Sequence, residues 1–476
     1  SGLLHTPTAT EIGMRSEKAM EKRKKYRESI GRKTVPPGNL LEQMQMMYPT
    51  PTVGCEEGGE QSKRVEQTKS GGFILRKKNK PNSTFGAKLS DAMLYLEKQK
   101  TYPTPTSRDY KDSMNKVPPC AGVTRGLTLG NKIVLTEKGK VVFFPSSGTG
   151  CWEAALQSTL NIGDTVLGAS FGQFSMLWLD MCERLQFKAI TMEEEWGTGA
   201  NPESYHRELS NDKDHKIKAV LVCQNETATG VRSDVLAIRK ILDDLNHPAL
   251  LMVDGVSSVA SYEFRMDDWG VDCVVSGSQK GLMLPAGIGI LGLSEKAIAA
   301  MESSNYPTCY FDVQDMIAKL ETGYTPYTPP VNLLRGMRVA LDMLLEEGLE
   351  NVWKRHHRLA EGTRRAILDG WGMKLCAKEP KWHSDTVSAI VVPEGADAVP
   401  VISTAFNTYN LALGAGLAKV AGKVFRIGHL GDLNELMLCS AISGAEMSMM
   451  SNGIKVELGS GVAAASKYWL DNPAGK

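Results

Sequence analysis

The residues with chemical potential in this sequence gather at the ends of apolar runs. In DCVVSGSQKGLMLPAGIGIL, residues 272–291, one lysine, Lys280, follows a short apolar run and precedes Gly and Pro. Its neighbours are small or apolar, so a primary amine there is a candidate nucleophile toward a carbonyl, rather than a snorkelling surface lysine. Lys280 lies 26 residues after Asp254, which ends the apolar run of LLMVDGVSSVASYEF (251–265). A carboxylate in that setting is costly unless something pairs with it. Capping the turn through Gly255 and Val256 is one use, and pairing with a cationic nitrogen is another. In SSGTGCWEAAL (146–156) a run ends, small residues turn the chain and a helix begins. Ser147, Gly148, Thr149 and Gly150 can therefore offer backbone N–H groups and hydroxyls to an anion. An ordinary capped helix would use the same residues. The stretch is not a Walker loop, because no Lys-Ser/Thr follows, and it is not GxGxxG.

One amine, one buried acid and one phosphate-like cradle, each at a strand end, match what pyridoxal phosphate needs. Its aldehyde takes an amine, its pyridine nitrogen an acid, and its phosphate a nest of donors. NETATG (225–230) ends another run, and Thr227 and Thr229 bring hydroxyls that can reach a ring or its phenolic oxygen. Phe171 and Trp178 follow the run at 164–170; an aromatic there can stack on a ring or simply fill the core. Arg426 sits inside KVFRIGHLG (423–431). A buried guanidinium seeks a planar anion, either a substrate carboxylate or an internal ion pair.

These residues need a scaffold that brings strand ends to one edge. KVVFFP (140–145), DTVLGAS (164–170), FKAITM (187–192), IKAVLVCQN (217–225), ALLMVDG (249–255), DCVVSGS (272–278) and GIGILGL (287–293) read as short strands. They are continuous apolar runs rather than alternating ones, as in a mostly parallel sheet covered on both faces. Helices are expected at 150–160 and 233–245. This is α/β organisation, and ligands of such sheets bind at the carboxyl edge. Residues 331–370 read as long helices. Strands at 388–395 and 423–431, with a helix near 398–409, then suggest a smaller α+β domain. The expected division is 1–135, 136–330 and 331–476.

Residues 1–135 differ in kind. They hold charged runs such as EKRKKYRE (21–28), frequent turn residues and YPTPT at both 48–52 and 102–106. Alternating proline favours an extended, polyproline-like backbone. The segment reads as an arm that lies on its own catalytic body, a sister subunit or another protein, or as a decorated loop region. The 476 residues carry a formal net charge of +1, which gives no general electrostatic argument for nucleic acid or an anionic membrane. No apolar run is long enough to span a bilayer. The nine cysteines show no CxxC pair and the eight histidines no HExxH, so neither a disulfide framework nor a metal site has support.

The motifs together resemble the class V aminotransferases of fold type I, in particular the serine–glyoxylate and alanine–glyoxylate group. FFPSSGTGCWEAAL, FGQFSMLWLD, HKIKAVLVCQNETATGV, SGSQKGLMLPAGIGIL, TGYTPYTPPVNLLRGMR and KVAGKVFRIGHLGDLNE carry the likeness in order over about 140–460. The resemblance implies Lys280 as the Schiff-base lysine and proton shuttle, with Asp254 on the pyridine nitrogen. It implies Ser147, Gly148, Thr149, Gly150 and Gln279 at the phosphate, Thr227 near the phenol oxygen and Phe171 stacked on the ring. Arg426 would grip the substrate carboxylate. Thr328 would reach the phosphate of a neighbouring subunit, with Tyr324 the weaker candidate, so a homodimer is implied. The implied reaction moves the amino group of serine or alanine to glyoxylate, giving glycine and a 2-oxo acid. The chain departs from the family's pattern at TPTATEIGMRSEKAM (6–20), where Thr6 stands at an expected glycine of the entrance loop. It departs again in the long passage from there to the phosphate strand. An accessory or structural subunit of a larger organellar complex is the alternative expectation. The ending NPAGK lacks a peroxisomal tripeptide, and with the absent initiator Met this sets a mitochondrial expectation.

Overall fold

The structure, a computed structural model, describes residues 135–474 and the backbone of three short strands between residues 65 and 86. The chain divides after residue 114 into two units. In the first, β1 (Val65–Gln67), β2 (Phe73–Lys77) and β3 (Lys80–Gly86) form an antiparallel sheet in that order, with a register shift at Arg76/Lys77. The sequence reading assigns no element there, because two charged runs mask the FILRK segment. Thr6, both YPTPT units and the expected extended arm lie outside the described residues.

The second unit begins with β4 (Lys140–Ser146), α1 (Gly148–Thr159), β5 (Thr165–Ser170), α2 (Gln173–Arg184), β6 (Lys188–Glu193) and α3 (Pro202–Asn211). It continues with β7 (Ile217–Cys223), the short hairpin β8 (Asn225–Glu226) and β9 (Val231–Arg232), α4 (Val235–Asp244), β10 (Leu250–Asp254), β11 (Cys273–Gly277) and β12 (Gly287–Leu293). The large sheet runs β4-β12-β11-β10-β7-β5-β6. β10 and β11 are buried along their whole length and β7 everywhere but Lys218, as their apolar runs require. Helices start where caps permit. Asn201 and Asp234 accept from the backbone at the starts of α3 and α4, and Pro202 occupies the first turn of α3.

Pairings β6-β5, β5-β7, β7-β10 and β10-β11 are parallel, whereas β12 is antiparallel to both neighbours. The sheet is mostly parallel, as expected from the sequence, and β12 is the exception. The reason is chain length. Only residues 278–286 separate β11 from β12, and a parallel return needs a crossover of a dozen residues or more. The chain therefore turns back at the sheet edge, and Lys280 sits in that turn.

After β12 come α5 (Glu295–Met301), α6 (Val313–Thr322), α7 (Val331–Glu347) and α8 (Leu349–Arg365). Leu334, Met337, Leu341 and Leu344 of α7, and Val352 of α8, pack into the core of the large sheet. Apart from Ala377 and Trp382, which pack on this first core, the packing from Leu359 onward belongs to a second core. That core covers an antiparallel sheet of order β13-β14-β16-β15: β13 (Lys374–Leu375), β14 (Val387–Val391), β15 (Gly414–Ala415) and β16 (Val424–Gly428). α9 (Ala398–Tyr409), α10 (Glu435–Ser451) and α11 (Ser460–Asp471) complete it. No helix among the described residues is long and apolar enough to cross a membrane.

Glycine in β12 sets how closely α1 approaches the sheet. A Cβ on Gly289 would lie 2.4 Å from the Ser147 carbonyl oxygen and 2.6 Å from Cys151 Sγ. Gly289→Ala should therefore push the start of α1 away from the sheet, at a cost of about 1–3 kcal/mol. Urea unfolding should show that loss together with weaker retention of a phosphate-bearing ligand; wild-type values for both would refute this account of the packing.

Candidate active site

β11 ends at Gly277, and the turn after it is stitched shut. The Ser278 N–H donates to the Ile288 carbonyl at 2.9 Å, and the Ser278 hydroxyl donates to the Pro285 carbonyl at 2.8 Å. Lys280 follows, and its own carbonyl accepts from Met283 N–H at 2.9 Å. Gly281 seats this turn against residues 259–261. A Cβ there would be 2.4 Å from the Val259 carbonyl oxygen and 2.5 Å from Ser261 Oγ. Lys280 is half-buried, and burial lowers the pKa of its amine. The charge of Arg426 lowers it further and that of Asp254 opposes the shift. An amine so placed spends more of its time neutral, which is the nucleophilic form.

Asp254 closes β10 between Cys223 and Val275 of the adjoining strands. Its Oδ1 accepts from Val256 N–H at 2.9 Å, and the Cys223 thiol donates to Oδ2 at 3.7 Å. Both uses foreseen for the residue are therefore compatible, because one oxygen caps the turn and the other faces only a weak donor. Asp254 forms no ion pair among the described residues. Burial pushes its carboxyl up to about 6, against the smaller effects of Val256 N–H, Cys223 and the Lys280 charge. A buried acid this poorly matched suits a partner that carries a protonated nitrogen.

The start of α1 packs on the turn after Asp254, since a Cβ on Gly148 would lie 2.3 Å from Val256 Cγ2. Ser147 is the N-cap, but its hydroxyl makes no capping bond, and the first turn of α1 carries no acid. Gly148 and Gly150 are buried while Ser147 and Thr149 are exposed. The N–H groups and hydroxyls there are suited to an anion. The Gln279 amide oxygen is buried with no hydrogen-bond partner. Oxygen and nitrogen of an amide exchange by rotation, so this group can offer a donor to the same anion. An amine, a carboxylate lacking a cation and an anion cradle fit pyridoxal phosphate at three separate points.

Thr227 lies beside them, its hydroxyl 2.8 Å from Ser257 Oγ. Thr229 is buried, and its hydroxyl has no partner. Arg426 reaches in from β16, where it pairs with Ala389 and Gly414. Its Nε donates to the Ala415 carbonyl at 2.9 Å and its Nη1 to the Thr227 carbonyl at 2.8 Å. No acid neutralises Arg426 within ion-pair distance among the described residues, so the internal ion pair considered for it is not formed. Burial lowers its pKa, and Glu226 opposes that. Lys280, Asp254, Thr227, Arg426 and the α1 start thus converge on one edge.

Two expected members stand apart. Phe171 is fully buried in the large core, so its ring-stacking role rests on the resemblance alone. Trp178 stacks on Trp152 at 5.5 Å, a core contact. Thr328 is exposed and makes no hydrogen bond among the described residues. Sequence reasoning missed Glu226, Asn225 and Ser257. Asn225 Nδ2 donates to Ser257 Oγ at 2.8 Å, and the Ser384 hydroxyl donates to Asn225 Oδ1 at 2.6 Å. Glu226 is completely buried, and burial pushes its carboxyl up to about 7, partly offset by backbone N–H donors. The acid inside NETATG was the available signal.

Fold and edge together define a fold-type I pyridoxal-phosphate enzyme. The family model for aminotransferase class V matches residues 131–428. A serine–glyoxylate aminotransferase of Methylorubrum extorquens is 57% identical over 72% of this chain and 87% of its own length. An L-aspartate–glyoxylate aminotransferase of Paracoccus denitrificans is 51% identical over 72% of this chain and 86% of its own. Among solved structures, a pyridoxamine–pyruvate aminotransferase of Mesorhizobium loti superposes with a TM-score of 0.69 at 25% identity. That match covers 74% of this chain and 90% of the other. This chain belongs to the class V aminotransferases, and pyridoxal phosphate is its cofactor.

The raised carboxyl of Asp254 has a sign that can be checked. Its folded value exceeds its unfolded one, so ionisation penalises the cofactor-free fold. The penalty is absent below about pH 4 and complete above about pH 6, where it reaches at most about 3 kcal/mol. Cofactor-free Asp254→Asn should gain stability over wild type at pH 8 and little at pH 4 in urea unfolding. Equal midpoints at pH 8 would show that another group already meets the charge.

Proposed function

We propose that this chain transfers the amino group of a small amino acid to glyoxylate, releasing glycine and a 2-oxo acid, with serine the preferred donor. The observation that carries the reading is the convergence of Lys280, Asp254 and Arg426. The serine–glyoxylate relative at 57% identity supports the donor, and the aspartate–glyoxylate relative supplies the competing one. Bound pyridoxal phosphate supplies the electron sink.

The chain's own residues do the rest. The α1 start and Gln279 hold the phosphate. Asp254, short of a cation in its apolar setting, keeps a proton on the pyridine nitrogen. Arg426 binds the substrate carboxylate with N–H groups left over from its two carbonyl contacts. Lys280 would hold the cofactor through its amine and, once free, would remove the proton from the donor Cα. A lysine whose pKa is lowered by burial suits that work as a base. The same groups then serve glyoxylate in the reverse direction. Removal of donor nitrogen as the amino group and its return on glyoxylate keeps atoms in balance without an external oxidant.

We also propose a homodimer, supported by the exposure of Thr328 and of Tyr310 and Tyr327, which stack on each other at 4.8 Å beside the cradle strand. The alternative of an accessory subunit rests on the arm before residue 135, of which only the three strands between residues 65 and 86 are described.

Cofactor-loaded protein given serine and glyoxylate should form glycine, and Lys280→Ala should form none and release its cofactor on dialysis. Arg426→Ala should raise KM for both substrates about 100-fold, as loss of a charged hydrogen-bond pair implies. A wild-type protein that binds the cofactor yet makes no glycine from serine, alanine or aspartate would end this reading.

A further inference from the structure

Glu226 is an acid sealed inside the protein one residue from the site, and none of the roles above uses it. Its Oε2 accepts from Phe174 N–H at 2.9 Å and Ser175 N–H at 3.0 Å. Its Oε1 accepts from Ala228 N–H at 3.1 Å. The first two donors belong to the opening turn of α2, a helix start with no acid of its own, where backbone N–H groups favour a negative charge. The third folds the carboxylate back on its own turn. That turn is closed by Thr229 and Gly230 N–H donating to the Glu226 carbonyl at 3.3 and 3.0 Å.

The fit is tight from the other side. A Cβ on Gly172 would lie 2.1 Å from Glu226 Cγ and 2.6 Å from Oε2. Gly172 has φ −176°, an extended conformation open to any residue, so the acid rather than the backbone accounts for the glycine. One residue beyond Glu226, the Thr227 carbonyl takes Nη1 of Arg426. The guanidinium is therefore held at two corners. One is fixed by its own sheet through Ala415, and the other by the turn that Glu226 pins to α2.

We propose that Glu226 is a positioning residue for Arg426: its carboxylate locks the 225–230 turn onto α2, so that the Thr227 carbonyl aims the guanidinium at the substrate carboxylate. This rests on the reading of Arg426 as the carboxylate clamp. Glu226 touches neither substrate nor cofactor. It acts through a backbone carbonyl on another residue's side chain. Small displacements of a positioned group are expensive in rate and affinity.

The test uses full-length, cofactor-loaded protein carrying Glu226→Gln or Gly172→Ala. Gln keeps the size of the side chain but can turn an NH2 toward N–H donors, while Ala at 172 displaces an intact carboxylate. KM for amino donor and glyoxylate, kcat, and the affinity for acetate read from cofactor absorbance are measured on each. Each variant should raise both KM values and weaken acetate about tenfold, with kcat changed less than about threefold. The double variant should be no worse than the poorer single, because both act on one contact. Added to Arg426→Ala, Glu226→Gln should have no further effect on acetate. Unchanged KM and acetate affinity, whether or not the melting temperature falls, would overturn the proposal by leaving Glu226 a purely structural acid. If wild type makes no glycine, the functional reading fails, while the acetate titration still decides the link between Glu226 and Arg426.

Discussion

Everything at the sheet edge answers to a carboxylate that the protein alone does not satisfy. Asp254 ends the middle strand of the large sheet, a strand buried along its whole length, and is held by one backbone N–H and a thiol. Taking such a group out of water is costly. On the proposed reading the cost is tolerable, because a cationic ring nitrogen of the ligand would bring the missing positive charge. The neighbouring features follow from the same constraint. Gly148 lets the phosphate helix close on the turn that Asp254 caps, and Gly281 seats the lysine turn on the next one. The two glycine-enabled contacts therefore hold the α1 start and the Lys280 turn in fixed positions around this acid.

The two cores meet through apolar contacts of Ala377 and Trp382 with the large core and through a polar seam at the site. The large sheet provides the acid, the lysine and the cradle. The small sheet provides Arg426. The polar seam runs from Thr227 to Ser257, Ser257 to Asn225, Asn225 to Ser384, and then to Arg364 with Asp385. Arg364 holds the Asp385 carboxyl far below the usual carboxylate range together with His357, whose hydrogen bond is the larger effect. A fully satisfied network of this kind rigidifies an interface and specifies one arrangement of it.

The sequence shows most of the sheet because seven apolar runs of the right length stand between turn residues. Their ends carry Ser147, Thr227, Asp254 and Lys280, so the site was legible wherever a strand end could be read. The direction of β12 was not, because a continuous apolar run looks the same in either direction. Only the length of the connection decides it. Glu226 escaped notice for a related reason. An acid beside two threonines in a polar turn reads as solvated, and nothing local reveals that the first turn of α2 closes over it. Phe171 is the converse case. Its type and position suit either ring stacking or the core, and the structure shows it enclosed in the core. The three strands between residues 65 and 86 were hidden by lysines and arginines that break the apolar pattern.

The Arg426 contact with the Thr227 carbonyl has an implication for recombination of parts. The guanidinium is rooted in one sheet and steadied by a turn from the other, with the Ser384–Asn225 bond bridging the same seam. A chimera that grafted a relative's C-terminal portion onto this chain's large sheet would inherit the arginine and leave its aiming device behind. Family members should therefore exchange such halves successfully only when the 225–230 turn and the 384–386 segment travel with them as a single heritable module.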